Sequence, residues 1–262
     1  MSILSQSLRW LAFCTVAGHA LASASADDAN KSNNPLNPAP GLNFQDYYVP
    51  SLFDSDKHTN DFLLRGTLPV APGLLPLPQL FRLTVPVSTR PAPDGGYSTA
   101  LGDVNLFDIF LMGNKDVQLG IGPLLTMPTA THDELGTGKW QAGLAAVVVN
   151  PTPERLLGAL VQWQHSFAGD NSRPNVNSAT VQPFLIYNLP EGWYLRSTGI
   201  WNFNLNNGEG YIPAGFGAGK VWRDGKTVYN LYLEPQVTVW HDGAGQPHWT
   251  VLGGLNLTLG GL

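Results

Sequence analysis

Apolar and polar residues alternate with a period of two along almost the whole chain after residue 41, and this alternation is the mark of β-strands. In 227–240, Tyr229, Leu231, Leu233, Pro235, Val237 and Val239 fall on one face. Asn230, Tyr232, Glu234, Gln236 and Thr238 fall on the other. Segment 192–205 sets Trp193, Leu195, Trp201, Phe203 and Leu205 against Tyr194, Arg196, Thr198, Asn202 and Asn204. The same rhythm runs through 61–70, 80–87, 116–127, 155–168, 177–189 and 249–259, and more weakly through 42–53. Segment 101–112 breaks phase between Asp103/Asn105 and Asp108, which points to a bulge. Segment 139–149 is apolar on both faces, and 211–222 is rich in glycine. Together these predict about 12 strands (roughly 10–12), most of them about nine to thirteen residues long. Strands in soluble sheets average ~5–6 residues. Tilted strands that cross a bilayer need ~9–11.

Connector lengths agree. Nearly every second connector is short and carries turn residues: Gly113-Asn114-Lys115, Asn150-Pro151-Thr152-Pro153, Leu189-Pro190-Glu191-Gly192 and Arg223-Asp224-Gly225-Lys226. Between them lie longer loops at 88–99, 127–138 and 168–176. Short turns at one rim and long loops at the other are the asymmetry of a transmembrane barrel. The connector 71–79 is longer than its place on the short-turn side requires.

Long alternating strands fit two architectures, a soluble sandwich with apolar faces inward or a membrane barrel with the sense inverted. Composition separates them. Charged residues are only 13% of the 262, against roughly 25% in an average soluble domain. The polar faces are Asn, Gln, Ser and Thr, as in a confined lumen. Trp140, Trp193, Tyr194, Tyr211, Trp222, Trp240 and Trp249 fall near strand ends, like interfacial girdles, whereas Trp163 and Trp201 fall nearer mid-strand. Hydrocarbon offers no water to an open sheet edge, so such a sheet must close. The expected fold is therefore all-β, an antiparallel up-and-down transmembrane barrel. Mean hydropathy near zero (−0.05) follows when apolar lipid faces and uncharged lumen faces average out. A net charge of −5 presents no basic patch for nucleic acid.

Residues 1–26 read as a secretory signal: Arg9, an apolar stretch Trp10–Ala17, then small residues with cleavage options ending at Ala22, Ala24 or Ala26. The one cysteine, Cys14, lies inside it. The exported chain then has no thiol for a disulfide or a metal. Residues 27–41 are polar and rich in Pro and Asn, and read as a flexible periplasmic leader. The barrel is placed at 42–262. The last strand alternates correctly through Leu255–Leu262 but lacks the terminal aromatic residue usual in bacterial outer-membrane barrels.

Several stretches resemble a known family. They are Leu124–Trp140, Gln164–Asp170, Val181–Leu195 and Gly217–Trp222. They are similar to a bacterial outer-membrane barrel family named after the meta-pathway of phenol degradation, whose members are often labelled transporters. The resemblance covers most of residues 40–262. It implies an outer-membrane location, with outer-membrane lipid and the barrel-assembly machinery as partners. It also implies uptake of small hydrophobic or aromatic solutes.

Candidate chemistry is sparse. Gly215–Lys220 fails as a phosphate loop, because the position of the first glycine is Ala214 and that of the Ser/Thr is Val221. Asp54, Asp56, Asn60 and Asp61 lack the spacing of a calcium loop. His241, Asp242 and His248 flank an Asp-Gly turn. Asp133/Glu134 and His165/Ser166 are neighbours that point oppositely in a strand, so no nucleophile–base pair is assembled and no catalytic residue is expected. No cofactor or metal is expected either. The functional candidates are the inward charges Arg65, Arg82, Asp103, Arg196 and Glu234. They either set a field for a solute or pair into a network that fills the barrel. These correspond to a channel and to a closed structural or binding barrel; a lipid-modifying hydrolase is the third alternative.

Overall fold

The computed structural model describes residues 22–73 and 76–260. A short strand, β1 (Ala22–Ser23), and one helix, α1 (Ala26–Asn33), precede the long strands. These are β2 (Gly41–Leu52), β3 (Thr59–Val70), β4 (Gln79–Pro91), β5 (Tyr97–Leu101), β6 (Val104–Gly113), β7 (Gln118–Met127) and β8 (Lys139–Pro151). There follow β9 (Arg155–Gly169), β10 (Asn177–Asn188), β11 (Trp193–Ser197), β12 (Trp201–Asn204), β13 (Gly210–Gly215), β14 (Gly217–Asp224), β15 (Thr227–Asp242) and β16 (Pro247–Leu259). β5 and β6 together make one stave, as do β11 with β12 and β13 with β14. Neighbours in sequence pair antiparallel, and β16 returns to β2 with Asn256 opposite Asn43 and Gly254 opposite Gln45. The result is a closed barrel of 12 strands. Of the signal reading over residues 1–26, residues 1–21 lie outside the described residues.

The period of two is used as an inside-out sheet. Leu233 is 57% exposed and the adjacent Glu234 is fully buried. Leu64, Leu83, Ile121, Leu144, Val161 and Leu231 lie exposed on the outer face. A continuous apolar belt of this kind requires hydrocarbon around it. Trp193 and Tyr187 are exposed near the short-turn rim, and Tyr48, Trp140, Trp240 and Trp249 near the loop rim. Trp163 stands nearer mid-strand, opposite Leu144 of β8. β9 runs on past it to Gly169, and its indole N–H donates to Asn177 Oδ1 at the first residue of β10 (3.0 Å).

Two expectations change. The loop expected over 88–99 is largely strand, since β4 runs on to Pro91 and pairs with β5 (Pro91 opposite Tyr97). The phase break in 101–112 falls earlier than expected, at Gly102-Asp103 between β5 and β6, where Leu101 pairs with Val87 and Asn105 with Thr84, so that this stave carries one residue more than β4. In β6 the residues Phe107 and Ile109 then face inward and are buried, which turns Asp108 outward opposite Phe81. The doubly apolar segment 139–149 has its reason at the short-turn rim. There Val147 and Val149 join Leu80, Ile109, Leu156 and Ile186 in a buried apolar cluster inside the barrel.

Candidate functional site: the lumen

What fills that apolar end is the segment before β2. Ala24, Ala29 and Leu36 are buried in the same cluster. Gly120 of β7 leaves the room for it, since a Cβ there would come within 2.7 Å of Leu36 Cδ2. The helix α1 starts at a capping box. Ser25 Oγ accepts from the Asp28 amide (3.1 Å), and Asp28 Oδ2 accepts from the Ser25 amide (3.1 Å). The Asp28 carboxylate also pairs with Arg223 of β14. Burial pushes the Asp28 carboxyl upward, but the bonds from Ser25 and the Arg223 guanidinium outweigh it and hold the group below its ordinary value of 3.8.

A ring of amides ties the segment to the barrel wall. Asn30 Nδ2 donates to the Thr152 carbonyl (2.7 Å), and Asn188 Nδ2 donates to Asn30 Oδ1 (2.9 Å). Asn34 Nδ2 donates to Gln118 Oε1 (2.7 Å), and Asn230 Nδ2 to Asn33 Oδ1 (3.1 Å). The expectation of a flexible leader over 27–41 is corrected here. Its Asn and Ser residues, which look unstructured in isolation, match the amide-rich inner wall and gain partners only when the sheet has closed around them.

Above this plug lies a cavity of about 420 Å³. Its floor is Ser32–Pro35, and its polar wall includes Asn43, Gln45, Thr67, Asn105, Gln162 and Gln182. Phe107, Leu124, Leu160, Phe184 and Ile186 add an apolar component. Nearer the loop rim a second space of about 540 Å³ is lined by Thr137, Arg173, Asn175, Asn202 and Glu209. Gln164, Ser178 and Thr180 line both spaces, so the cavity continues outward.

The five candidate charges separate into three roles. Arg196 and Glu234 form a buried pair at 2.7 Å. Glu234 also accepts from the Thr198 amide and hydroxyl (2.8 Å each) and from Gln236 (3.0 Å). The Arg196 guanidinium lies 3.7 Å above the centre of the Tyr232 ring. The glycines of 211–222 serve this network, because a Cβ on Gly217 would come 2.7 Å from Glu234 Cβ. Asp103 lines the cavity but is committed to the loop over 128–138. It accepts from the Thr137 amide (2.7 Å), the Thr137 hydroxyl (2.9 Å) and the Ala130 amide (3.2 Å).

Arg65 and Arg82 remain. Arg65 Nη1 donates to Gln45 Oε1 (2.6 Å), and Gln45 in turn donates to the Tyr232 hydroxyl (2.8 Å). Arg82 donates to Thr67 Oγ1 (3.2 Å) and the Pro35 carbonyl (3.3 Å), with its guanidinium 5.0 Å from the centre of the Phe107 ring.

The other motifs resolve into local contacts. Asp61 accepts from Arg90 and from Ser88 (2.6 Å) inside the barrel. Ser98 donates to Glu134. His241 stacks on Phe53 at 3.6 Å, with His248 4.6 Å from the same ring. Ser166 Oγ accepts from the Val176 amide (2.9 Å). Among the described residues no group of three His, Cys, Asp or Glu is placed to hold a metal. Gln45, Thr67 and Phe107 were readable as inward positions from the period of two. Asn30, Asn33 and Asn34 carried no such signal.

Closed antiparallel barrels with an apolar exterior and a polar, partly filled lumen form a recurrent membrane architecture. Among solved structures, the chain is similar in fold to an outer membrane channel from Pseudomonas putida F1, at 14% identity over 83% of this chain and 94% of that one, with a TM-score of 0.59. The NanC porin matches at 9% identity over 84% of this chain and 99% of its own, with a TM-score of 0.53. The KdgM porin, solved in complex with disordered oligogalacturonate, matches at 10% identity over 84% and 99%, with a TM-score of 0.50. At these identities the likeness is one of fold. No family model matches the chain, and no curated protein matches it in sequence.

Proposed function

We propose that the chain is a channel or transporter of the bacterial outer membrane, of the kind associated with phenol meta-pathway degradation, and that it admits small aromatic or hydrophobic solutes. The observation that carries this reading is the cavity of about 420 Å³. It opens toward the loop rim through shared wall residues and ends below on the N-terminal segment. Its wall combines amides and hydroxyls with Phe107, Leu124, Leu160, Phe184 and Ile186, a lining suited to an aromatic body with a polar group. The apolar belt supports residence in outer-membrane lipid after insertion by the barrel-assembly machinery. The fold neighbours with TM-scores of 0.50 to 0.59 support the same placement.

The test has two parts. The protein should fractionate with the outer membrane and show a heat-modifiable gel shift, and in liposomes it should pass phenol or a similar small aromatic. Recovery as a soluble periplasmic protein would overturn the reading. A closed binding barrel is the second reading, favoured by the docked plug. It predicts no flux, even from a variant lacking residues 26–34.

A further inference from the structure

We propose that Arg65 and Arg82 form a subsite for a carboxylate, so that the solute suited to this lumen is a small aromatic acid held by its anionic end. This deepens the channel reading, on which it rests only for the route of entry.

The two arginines lie on adjacent strands and the same inward face. Arg65 is opposite Thr84 and Arg82 opposite Thr67, which makes them diagonal neighbours. Both line the central cavity. Among the described residues neither forms an ion pair, whereas Arg90, Arg173, Arg196 and Arg223 each have a carboxylate. The carboxylates at the central cavity, Asp103 in its wall and Glu234 behind Arg196, are spoken for. Glu234 is neutralised by Arg196, and the Asp103 oxygens accept from Ala130 and Thr137. Arg65 Nε is buried with no hydrogen-bond partner.

A guanidinium with a buried, unsatisfied N–H next to a second cation is costly as it stands. An anion bound in the cavity offsets the repulsion between the two cations. A carboxylate matches the planar fork of an arginine in shape. Phe107 sits under the Arg82 guanidinium, and Leu124 lines the same cavity, so an aromatic body has an apolar surface beside the anion position.

Benzoate and benzyl alcohol share a ring and differ in charge, so they are the probes. Binding to the full chain in detergent is measured by calorimetry, with the heat-modifiable band as the check on folding. Benzoate should bind at least about tenfold more tightly than benzyl alcohol. Arg65→Gln and Arg82→Gln should each weaken benzoate about tenfold and leave benzyl alcohol unchanged. Arg90→Gln, at a residue paired with Asp61, should leave benzoate binding intact. Equal affinity for the two probes, or a folded R65Q/R82Q double variant that still prefers benzoate, would overturn the subsite. The probe comparison on the unmodified chain needs no variant to fold. Flux of aromatics without benzoate preference sinks the subsite and leaves the channel. Benzoate preference without any flux sinks the channel and leaves the subsite.

Discussion

Arg196 and Glu234 lie 38 residues apart in sequence and meet at 2.7 Å inside the barrel, both buried. Removing one partner leaves the other charge buried and uncompensated. Glu234→Ala should therefore cost about 3–5 kcal/mol, and a double change to Met at 196 and Leu at 234 should recover most of it. Denaturant midpoints of the folded band measure both. A single variant as stable as the parent would show that the pair contributes nothing.

The N-terminal segment acts as a stopper held by its cap and by amide bonds. Ser25→Ala removes the acceptor for the Asp28 amide and should loosen docking by about 1 kcal/mol. Deleting residues 26–34 should raise single-channel conductance in planar bilayers well above the parent. Unchanged conductance would mean that the lumen is closed elsewhere.

Docking should also depend on pH. The Asp28 carboxyl is held below 3.8 in the docked state, where the Ser25 bonds and Arg223 outweigh its burial. A group depressed in this way stabilises docking fully above its free value, and the stabilisation is lost as pH falls through its docked value. Conductance should therefore rise as pH drops below about 4. Asp28→Asn should show raised conductance at neutral pH and lose the acid response.

Asp103 staples the loop over 128–138 through Thr137 and Ala130. Asp103→Ala removes three accepted bonds and should free this loop while leaving the barrel folded. Limited proteolysis of intact cells should then cut within 128–138 in the variant and spare the parent. Equal protection would show that other contacts hold the loop.

The two faces of the sheet should respond oppositely to charge. Leu144, 53% exposed near the middle of β8, faces outward, and Leu144→Arg should cost about 2–4 kcal/mol in a bilayer. Thr180 lines the lumen, and Thr180→Arg should cost much less. Asp108 stands on the outer face with its Oδ1 buried and unpartnered, so Asp108→Leu should stabilise the barrel. Denaturant unfolding in vesicles ranks the three, and a tolerated Leu144→Arg would contradict the membrane-facing assignment.

Sequence alone determined the strands, their approximate ends, the two unequal rims and the inverted sidedness. Each of these is written locally, because a strand shows its two faces to successive residues. That is why Leu233 and Glu234 could be assigned opposite faces before any partner was known. It also placed Arg65, Arg82, Arg196 and Glu234 inward.

Only the closed tertiary structure decided which inward charges meet. Arg196 finds Glu234 across β11, β14 and β15, whereas Arg65 and Arg82 find amides, hydroxyls, a carbonyl and an aromatic ring instead of a carboxylate. It also turned residues 26–33 into a helix docked in the lumen. The physical reason is the same in both cases. Partners such as Thr152, Asn188, Arg223 and Asn230 are more than a hundred residues from the helix in sequence. They stand on or beside the neighbouring staves from β9 to β15 and meet the helix only when the sheet curls around it.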